Sequence, residues 1–572
     1  MIFLFRHIRT IACISTALTS VPIFAQSAAP VTVTPQTLRP EQNDKGFRVE
    51  IPESGGLTAP AGAESLSVTL TEVKLEGGFV EVTEQTDAVL EALRGARVSL
   101  KQIYAAASEI EAIHARAGYV LARVSVPPQD LRDGGALRIV VTDGFIEEVD
   151  VSGLPKRVRS AVAARVMGLK DKHHLKLADI EQSLLVANEV PGLTLKSTLA
   201  RGSQQGGARI ILDGTQHLVS GAIGADNQLD PSLGTYGVNL QLSLNSALGF
   251  GEQIYGFVSS GYDVRNLFAS DVRERVLGGG FVVPIGDGRL TLNPEATFSR
   301  TQPKAAVGAP QTLGDLRRLT LRAGFTLRKT RQEVIALTGA IEQLDERNLV
   351  PSFATFISHD RYMTARLGLS YENAGTGRSA YGVSGQLSQG LAGLGSLSAA
   401  DAIASQVPFS RQGSSTQFTK FAAQGHATLA LNDSLSLRIL AKGQTSFGAA
   451  VFRAEQFALE GPDGASAYIG GITAVDEGAV IRAELGGQHV FGTGKEGVIV
   501  SPYLFGAAGA GRVNQPTAVE ANSLQVAAMG LGVRATLPRL QLSLSLEYAH
   551  GVSDEPLLDN IDRVNVSTTF RF

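Results

Sequence analysis

Segments of alternating polarity recur along the chain from about His217 to the last residue, Phe572, and they constrain the fold more than any other feature. In each segment, apolar side chains take every second position, because successive residues of a strand point to opposite faces. Examples are Tyr236–Asn245, Leu319–Arg328, Ser434–Lys442 and Leu540–Ala549. One apolar and one polar face fits either a lipid-exposed barrel with a wet lumen or one sheet of a soluble sandwich.

The connections between these segments separate the two folds. We count 16 segments, and their connections alternate between short and long. The short connections are Ala247–Gly251, Gly286–Gly288, Lys329–Arg331, Asn373–Gly377, Asn432–Asp433, Gly492–Gly497 and Pro538–Arg539. The long connections include Gln302–Gly314, Asp345–Ile357, Leu391–Ser414, Phe447–Gly478 and Val513–Asn522. Because outer-membrane barrels have short turns at one rim and long loops at the other, we predict a transmembrane antiparallel β-barrel of about 16 strands at residues 215–572.

Residues 1–25 have the pattern of a secretory signal peptide. Arg6 and Arg9 lie in a basic end, the stretch Ile11–Phe24 is apolar, and Ala25 offers a cleavage position. The apolar stretch is about 14 residues long, and a spanning helix needs roughly 18 or more. The only cysteine, Cys13, lies in this segment. The mature chain is therefore expected to have no disulfide, no thiolate metal site and no cysteine nucleophile.

Two α+β units are predicted between the signal peptide and the barrel. A linker at 26–65 is rich in proline and glycine and shows no sustained period. The first unit, 66–143, begins with a strand at Ser67–Leu75 and continues with a helix that Ser99 caps. A further strand is predicted at Tyr119–Val126.

The second unit, 144–214, repeats this arrangement. Phe145–Val151 alternates in polarity as a half-buried strand does. The other predicted elements are helices at Val158–Leu169 and Ala178–Asn188 and strands at Leu193–Leu199 and Ala208–Leu212.

Neither unit contains residues spaced for catalysis. Glu147 and Glu148 are adjacent, so they point to opposite faces of a strand and cannot act together on one substrate. His173 and His174 lie in a lysine-rich turn without ligands at metal-binding spacing, which is typical of a solvated turn. The formal net charge is −3, without blocks of like charge, and gives no reason to expect nucleic-acid binding. We expect no enzyme activity, cofactor or metal.

Several stretches in the two units carry a family resemblance. They are Gly118–Val124, Pro127–Gln129, Leu137–Val141 and Gly144–Val149 in the first unit and its junction, and Leu184–Gly192 in the second. These stretches resemble the two POTRA domains of the two-partner secretion transporters (ShlB/FhaC/HecB type), which are outer-membrane members of the Omp85 superfamily. The arrangement of the whole mature chain is similar to theirs.

The resemblance implies a translocator in the outer membrane of a Gram-negative cell. Its periplasmic POTRA domains, within 66–214, would capture an unfolded β-rich exoprotein of haemolysin or adhesin type, and the barrel would form the pore. Further implied partners are outer-membrane lipid, the outer-membrane assembly machinery and periplasmic chaperones, with the barrel monomeric. The alternative is an Omp85-type factor that inserts outer-membrane or surface proteins. A passive porin would leave the two units unexplained.

The long loop 447–478 follows the eleventh segment, where these transporters carry a loop that folds back into the pore. Residues that match the family's pattern there are Phe457, Leu459, Gly461, Pro462, Asp463, Gly464 and Tyr468. The wall that the resemblance places opposite the loop is in the thirteenth segment and contains Tyr503, Phe505, Ala507 and Gly509. Ser466 stands where the family usually has an arginine, and Ala507 stands where an aspartate is usual.

Losing only one member of that ion pair would leave a charge unpaired, whereas losing both leaves none. We therefore expect the loop to pack against the wall through Tyr468, Phe457 and backbone contacts rather than through an ion pair. At the end of the chain, Phe570 and Phe572 fall on one face of the last strand and resemble the assembly signal of outer-membrane proteins.

Overall fold

The structure is a computed structural model that describes residues 49–50, 59–261, 267–269, 271–375, 379–469, 471–492, 497–518, 520–556 and 558–572. The predicted signal peptide, 1–25, and most of the predicted linker, 26–65, lie outside these residues. Among the described residues, no helix combines the length and the apolar character needed to cross a membrane.

Two α+β units precede the barrel. Their strands are β1 (Val49–Glu50), β2 (Ser67–Glu76), β3 (Arg97–Ser99), β4 (Arg123–Ser125), β5 (Gly135–Thr142), β6 (Phe145–Gly153), β7 (Leu193–Arg201) and β8 (Gly207–Gln216). Their α-helices are α1 (Thr83–Glu91), α2 (Leu100–Arg116), α3 (Lys156–Val166) and α4 (Leu177–Asn188). The sheet orders are β3-β2-β5-β4 in the first unit and β1-β7-β8-β6 in the second.

The first unit forms around the buried stripe of α2. The predicted cap of this helix is confirmed, since the Ser99 side chain accepts from the N–H of Gln102 and the Gln102 side chain accepts from the N–H of Ser99. The predicted strand Tyr119–Val126 is wrong in extent, because only Arg123–Ser125 pairs as a strand. Tyr119 and its neighbours form a turn instead, and the Tyr119 ring is buried in the core of the unit.

Seventeen described strands form the barrel wall. They are β9 (Val219–Asp226), β10 (Gly237–Asn245), β11 (Gln253–Gly261), β12 (Glu274–Ile285), β13 (Leu290–Thr301), β14 (Leu313–Lys329), β15 (Glu333–Val350), β16 (Thr355–Asn373), β17 (Ala380–Leu391), β18 (Thr419–Ala430), β19 (Leu435–Thr445), β22 (Glu477–Gly487), β23 (His489–Phe491), β24 (Val498–Arg512), β25 (Ser523–Leu537), β26 (Leu542–Ser553) and β27 (Ile561–Arg571). β22 and β23 both pair with β24 and share one position, so the wall has 16 strand positions. Because β27 pairs with β9, the sheet closes, and the predicted 16-stranded antiparallel barrel is confirmed.

The alternation of the sequence separates the two faces of this wall. On β24, Leu504 points outward and is 61% exposed, whereas its neighbours Tyr503 and Phe505 point into the lumen and are buried. The outward row is apolar and suits lipid, and the buried lumen side includes many polar and charged residues.

The second unit is docked against the periplasmic rim of the barrel. Glu189, just after α4, forms an ion pair with Lys329, and Glu181 of α4 forms one with Arg331 at 2.7 Å. Both cations lie at the turn between β14 and β15. Arg157 of α3 also donates to the Ala247 carbonyl at 3.0 Å, in the turn between β10 and β11. These contacts fix the second unit under two turns of the barrel.

Candidate functional site in the barrel lumen

The loop between β19 and β22 turns back into the barrel. Two short strands at its base, β20 (Phe457–Ala458) and β21 (Ala474–Val475), pair in antiparallel fashion and bring its two arms together. The segment beyond them is buried, although long loops of barrels usually lie in solvent. Buried members of this segment are Leu459, Ala465, Ser466, Ala467 and Tyr468.

The Gly-Pro-Asp-Gly sequence forms the tight turn at the tip of this loop. Gly461 has φ +94°, a left-handed backbone conformation that favours glycine. Gly464 lies so close to the other arm that a Cβ at this position would be 2.5 Å from the Leu459 carbonyl oxygen. Pro462 and Asp463 stay exposed between the two glycines. The turn therefore points Pro462 and Asp463 into the open part of the lumen.

The rest of the loop packs on the inner face of the wall. Tyr468 is fully buried, in one apolar cluster with Leu459, Tyr503 and Phe505. A Cβ at Gly551 would lie 2.9 Å from the Tyr468 ring, so the glycine allows the ring to approach β26. Ala507 is buried in the same wall, directly opposite Arg482 of β22.

Ser466 bonds to both members of an ion pair on the barrel wall. Its hydroxyl donates to Glu547 Oε1 at 2.5 Å and accepts from Arg482 Nη1 at 3.0 Å. Arg482 Nη2 is itself paired with Glu547 Oε2. Arg482 is fully buried and Glu547 is 6% exposed, so water can replace little of this network while the loop is in place.

Aromatic and acidic side chains extend the network along the wall. The Arg482 guanidinium lies 3.7 Å above the Phe505 ring, and its Nε donates to Glu484 at 2.8 Å. Tyr503 donates its hydroxyl to Glu547 at 2.8 Å. Two of the wall residues that the resemblance indicated therefore support the arginine, one by ring stacking and one by a hydrogen bond to its partner.

The expectation that no ion pair holds the loop is wrong. The charged residues are present, but the cation is on strand β22 of the wall instead of on the loop. Sequence reasoning missed Arg482 and Glu547 because it examined only Ser466 and Ala507. A signal was available, since Arg482 and Glu547 occupy lumen-facing positions of their strands. The proximity of Ser466 to Ala507 remains a prediction that a disulfide test addresses.

A second anchor holds the first arm of the loop. Glu455 is buried between Arg366 of β16, at 2.7 Å, and Lys420 of β18, also at 2.7 Å. Burial alone would raise the pKa of Glu455, but the two cations outweigh it and hold that pKa well below its usual range. Beside this pair, the ring of Phe452 stacks on Tyr362 with 4.4 Å between centroids. The first arm is therefore bound to the wall by charge and by aromatic packing.

A third anchor connects the second arm to two other loops. Asp476 accepts from Arg411 Nη2 at 3.0 Å, and Arg411 reaches Glu520 with its other terminal nitrogen at 2.5 Å. Arg411 belongs to the connection between β17 and β18, and Glu520 to the connection between β24 and β25. The backbone N–H groups of Val451 and Asn514 also donate to Asp476. One buried arginine thus joins three loops at the rim opposite the periplasmic units.

The last strand closes the barrel against the first. Phe572 exchanges two backbone hydrogen bonds of 3.0 Å with Gly221, and five residue pairs register between β27 and β9. Phe570 and Phe572 lie on the outer surface, where they are 42% and 44% exposed. Their rings contact each other with 5.9 Å between centroids. The described residues contain no group of three or more side chains suited to a metal ion.

Comparison with known sequences identifies two regions of the chain. A sequence model of the haemolysin secretion/activation protein ShlB/FhaC/HecB family matches residues 206–552, more than half of the chain. A sequence model of the ShlB-type POTRA domain matches residues 68–144. The two matches together cover the first α+β unit and most of the barrel.

Similar individual proteins are transporters by name. The outer membrane transporter CdiB of Escherichia coli is 27% identical over 220 residues, which are 36% of this chain and 36% of the relative. The hemolysin transporter protein ShlB of Serratia marcescens is 30% identical over 202 residues, 34% of this chain and 35% of the relative. The aligned regions thus span about a third of each relative's length.

Solved structures show the same fold over nearly the whole chain. CdiB from Escherichia coli superimposes with a TM-score of 0.70 at 20% identity, covering 91% of this chain and 94% of that one. CdiB from Acinetobacter baumannii gives a TM-score of 0.61 at 16% identity, with 89% and 91% covered. With the family match over the barrel and the POTRA match before it, the chain belongs to the haemolysin secretion/activation protein ShlB/FhaC/HecB family.

Proposed function

We propose that this protein is an outer-membrane translocator that exports a partner β-rich exoprotein. The observation that supports this most strongly is an anchored loop inside a closed barrel, with an α+β unit docked beneath its turns. A barrel alone would serve a passive pore. Docked periplasmic units and a retained loop suit a pore that receives a polypeptide and opens only for transport.

The periplasmic units would supply the capture surface. β1 already pairs in parallel with the edge strand β7 at Ser197 and Thr198, so this edge accepts an extended chain. Adding an unfolded segment to a sheet edge satisfies its backbone hydrogen bonds without a particular sequence. The edge strands of the first unit, β3 and β4, are only three residues long each. We therefore place capture at β7 rather than at the first unit.

The loop tip would close the path through the barrel. Its arms are tied by Glu455 and Asp476, and its tip by Ser466 and Tyr468. The described residues offer no metal cluster, and we propose no catalytic role. The proposed partners are the secreted exoprotein, outer-membrane lipid, the assembly machinery recognising Phe570 and Phe572, and periplasmic chaperones, with one barrel as the working unit.

Removal of the periplasmic units tests this proposal. The variant would lack residues 66–213 but keep the barrel, and its assembly in the outer membrane would be checked by heat-modifiable migration. We expect the barrel to assemble and export of the neighbouring-gene exoprotein to be lost. Normal export by an assembled barrel without the units would contradict the proposal.

A factor that inserts other outer-membrane proteins is the second candidate. The observation that favours it is the short seam, since β27 and β9 pair over five residues whereas β24 and β25 pair over fourteen. Such a seam would open sideways at lower cost than any other pair of strands. Deletion of the gene separates the candidates: loss of one exported protein supports the translocator, and depletion of many outer-membrane proteins supports the insertion factor.

A further inference from the structure

The turn before α4 of the second unit reaches across to the first unit. Its residue His174 has φ +59°, a left-handed conformation that is uncommon for a residue with a side chain. The His174 ring packs on Phe79 and Tyr119 of the first unit, with centroid distances of 4.2 and 4.8 Å. The interpretation of His173 and His174 as a solvated turn is therefore wrong for His174, because a ring from one unit lies against the core of the other.

Carboxylates lie beside both nitrogens of this ring. Nε2 of His174 is 3.3 Å from Glu81 Oε1, and Nδ1 is 3.7 Å from Asp143 Oδ2. Asp143 also accepts from the His174 backbone N–H at 3.1 Å, which holds it in position. A neutral imidazole has one N–H and can donate to one of these carboxylates, whereas an imidazolium can donate toward both.

The other charged and titratable groups around the ring are few. Lys176 lies over the opposite partner, with its Nζ 5.3 Å from the centre of the Tyr119 ring, and His173 is 3.8 Å from Asp143. A hydrogen bond from its own backbone and others from His174 and Tyr119 lower the pKa of Glu81. Glu81 is therefore ionised throughout the range in which imidazoles titrate.

We propose that His174 is a pH-responsive tie between the two periplasmic units. Protonated, its ring is a cation between Glu81 and Asp143 and holds the first unit in one orientation on the second. Neutral, it keeps the ring packing but loses one of the two carboxylate contacts, so the first unit moves more freely about the two-residue connection Asp143–Gly144 between β5 and β6. Acidity outside the cell reaches the periplasm, and the tie would couple it to the presentation of the capture surface.

Distances between spin labels on the two units test this tie directly. The full-length protein in liposomes would carry labels at Glu84→Cys on α1 and Ser160→Cys on α3, both at exposed positions. Between pH 8.0 and pH 5.5 we expect the distance distribution to narrow, with the restricted population rising roughly two- to fivefold, the range for one exposed ion pair. His174→Gln should abolish the change, and Glu81→Gln should reduce it by at least half.

A matched control uses another periplasmic histidine. His489 of β23 is exposed at the barrel rim, away from either unit's carboxylates, so His489→Gln should keep the full pH response. An unchanged distribution in the parent, or a full response in folded His174→Gln, would overturn the proposal. The distance readout does not depend on export, so its failure is distinct from a failure of the proposed function.

Discussion

Replacing Ser466 with alanine would test how the loop tip is held in the lumen. The change removes one oxygen, which donates to Glu547 at 2.5 Å and accepts from Arg482 at 3.0 Å. A hydrogen bond to a charged group is worth about 1.5–3 kcal/mol. Water would hydrate both charges once the loop leaves, so we take about 2 kcal/mol for the two bonds together. The ratio of open to closed barrels should therefore rise about 30-fold.

Single-channel recording in planar lipid bilayers measures this ratio at neutral pH. The matched control is Ser405→Ala, because Ser405 lies on the short helix Ala399–Ser405 and its hydroxyl donates to the Asp401 carbonyl of that helix. The control should open as rarely as the parent. An open fraction in Ser466→Ala within twofold of the parent would refute the view that the serine ties the loop tip to the wall.

Three further predictions concern the other anchors and the docked unit. Arg411→Met should speed amide hydrogen exchange in both 446–456 and 511–514, because Asp476 would be left buried with only backbone donors, and unchanged protection at 446–456 would contradict the third anchor. Acid should open the loop only well below neutrality: Arg366 and Lys420 hold the folded-state pKa of Glu455 below its ordinary value of 4.5 despite burial, so this stabilisation is fully present above about pH 4.5 and is lost as pH falls below it, whereas conductance rising between pH 7 and pH 5 would argue against this. Lys329→Glu should loosen the second unit and lower export severalfold, and Glu189→Lys in the same chain should restore it; a double variant no better than the single one would exclude this ion pair as the docking contact.

The barrel could be predicted because its signal is local and repeated. Alternation along Tyr236–Asn245 or Leu540–Ala549 depends only on the period of a strand, and the loop lengths then separate a barrel from a sandwich. The tight turn at Gly461–Gly464 was visible for the same reason, since backbone conformation there depends on adjacent residues. The extent of the strand at Tyr119 was not, because burial of its ring in the first unit's core overrides local β-propensity.

The partners of Ser466 and His174 could not be found in this way. Arg482 and Glu547 are 65 residues apart in sequence, and their contact requires the lumen-facing register of strands that are not neighbours in the wall. Glu81 lies 93 residues before His174, in the other unit. A local reading of either residue sees a serine without an ion pair or a histidine in a polar turn, and only the packed structure supplies the charges.

The position of the arginine changes what opening must break. The resemblance implies an arginine on the loop, so withdrawal of the loop would separate an ion pair. Here Arg482 and Glu547 both belong to barrel strands, so they stay paired when the loop tip leaves and only the Ser466 bonds and the Tyr468 packing are lost.

Charge separation is required instead at the arms of the loop. Glu455 must leave Arg366 and Lys420, and Asp476 must leave Arg411. Breaking buried pairs of this kind costs more than replacing the hydrogen bonds of one hydroxyl by water. The tip should therefore leave the wall first while both arms stay bound. An incoming chain that displaces Tyr468 would widen the lumen without first breaking an ion pair, and full withdrawal would follow only when the arms release.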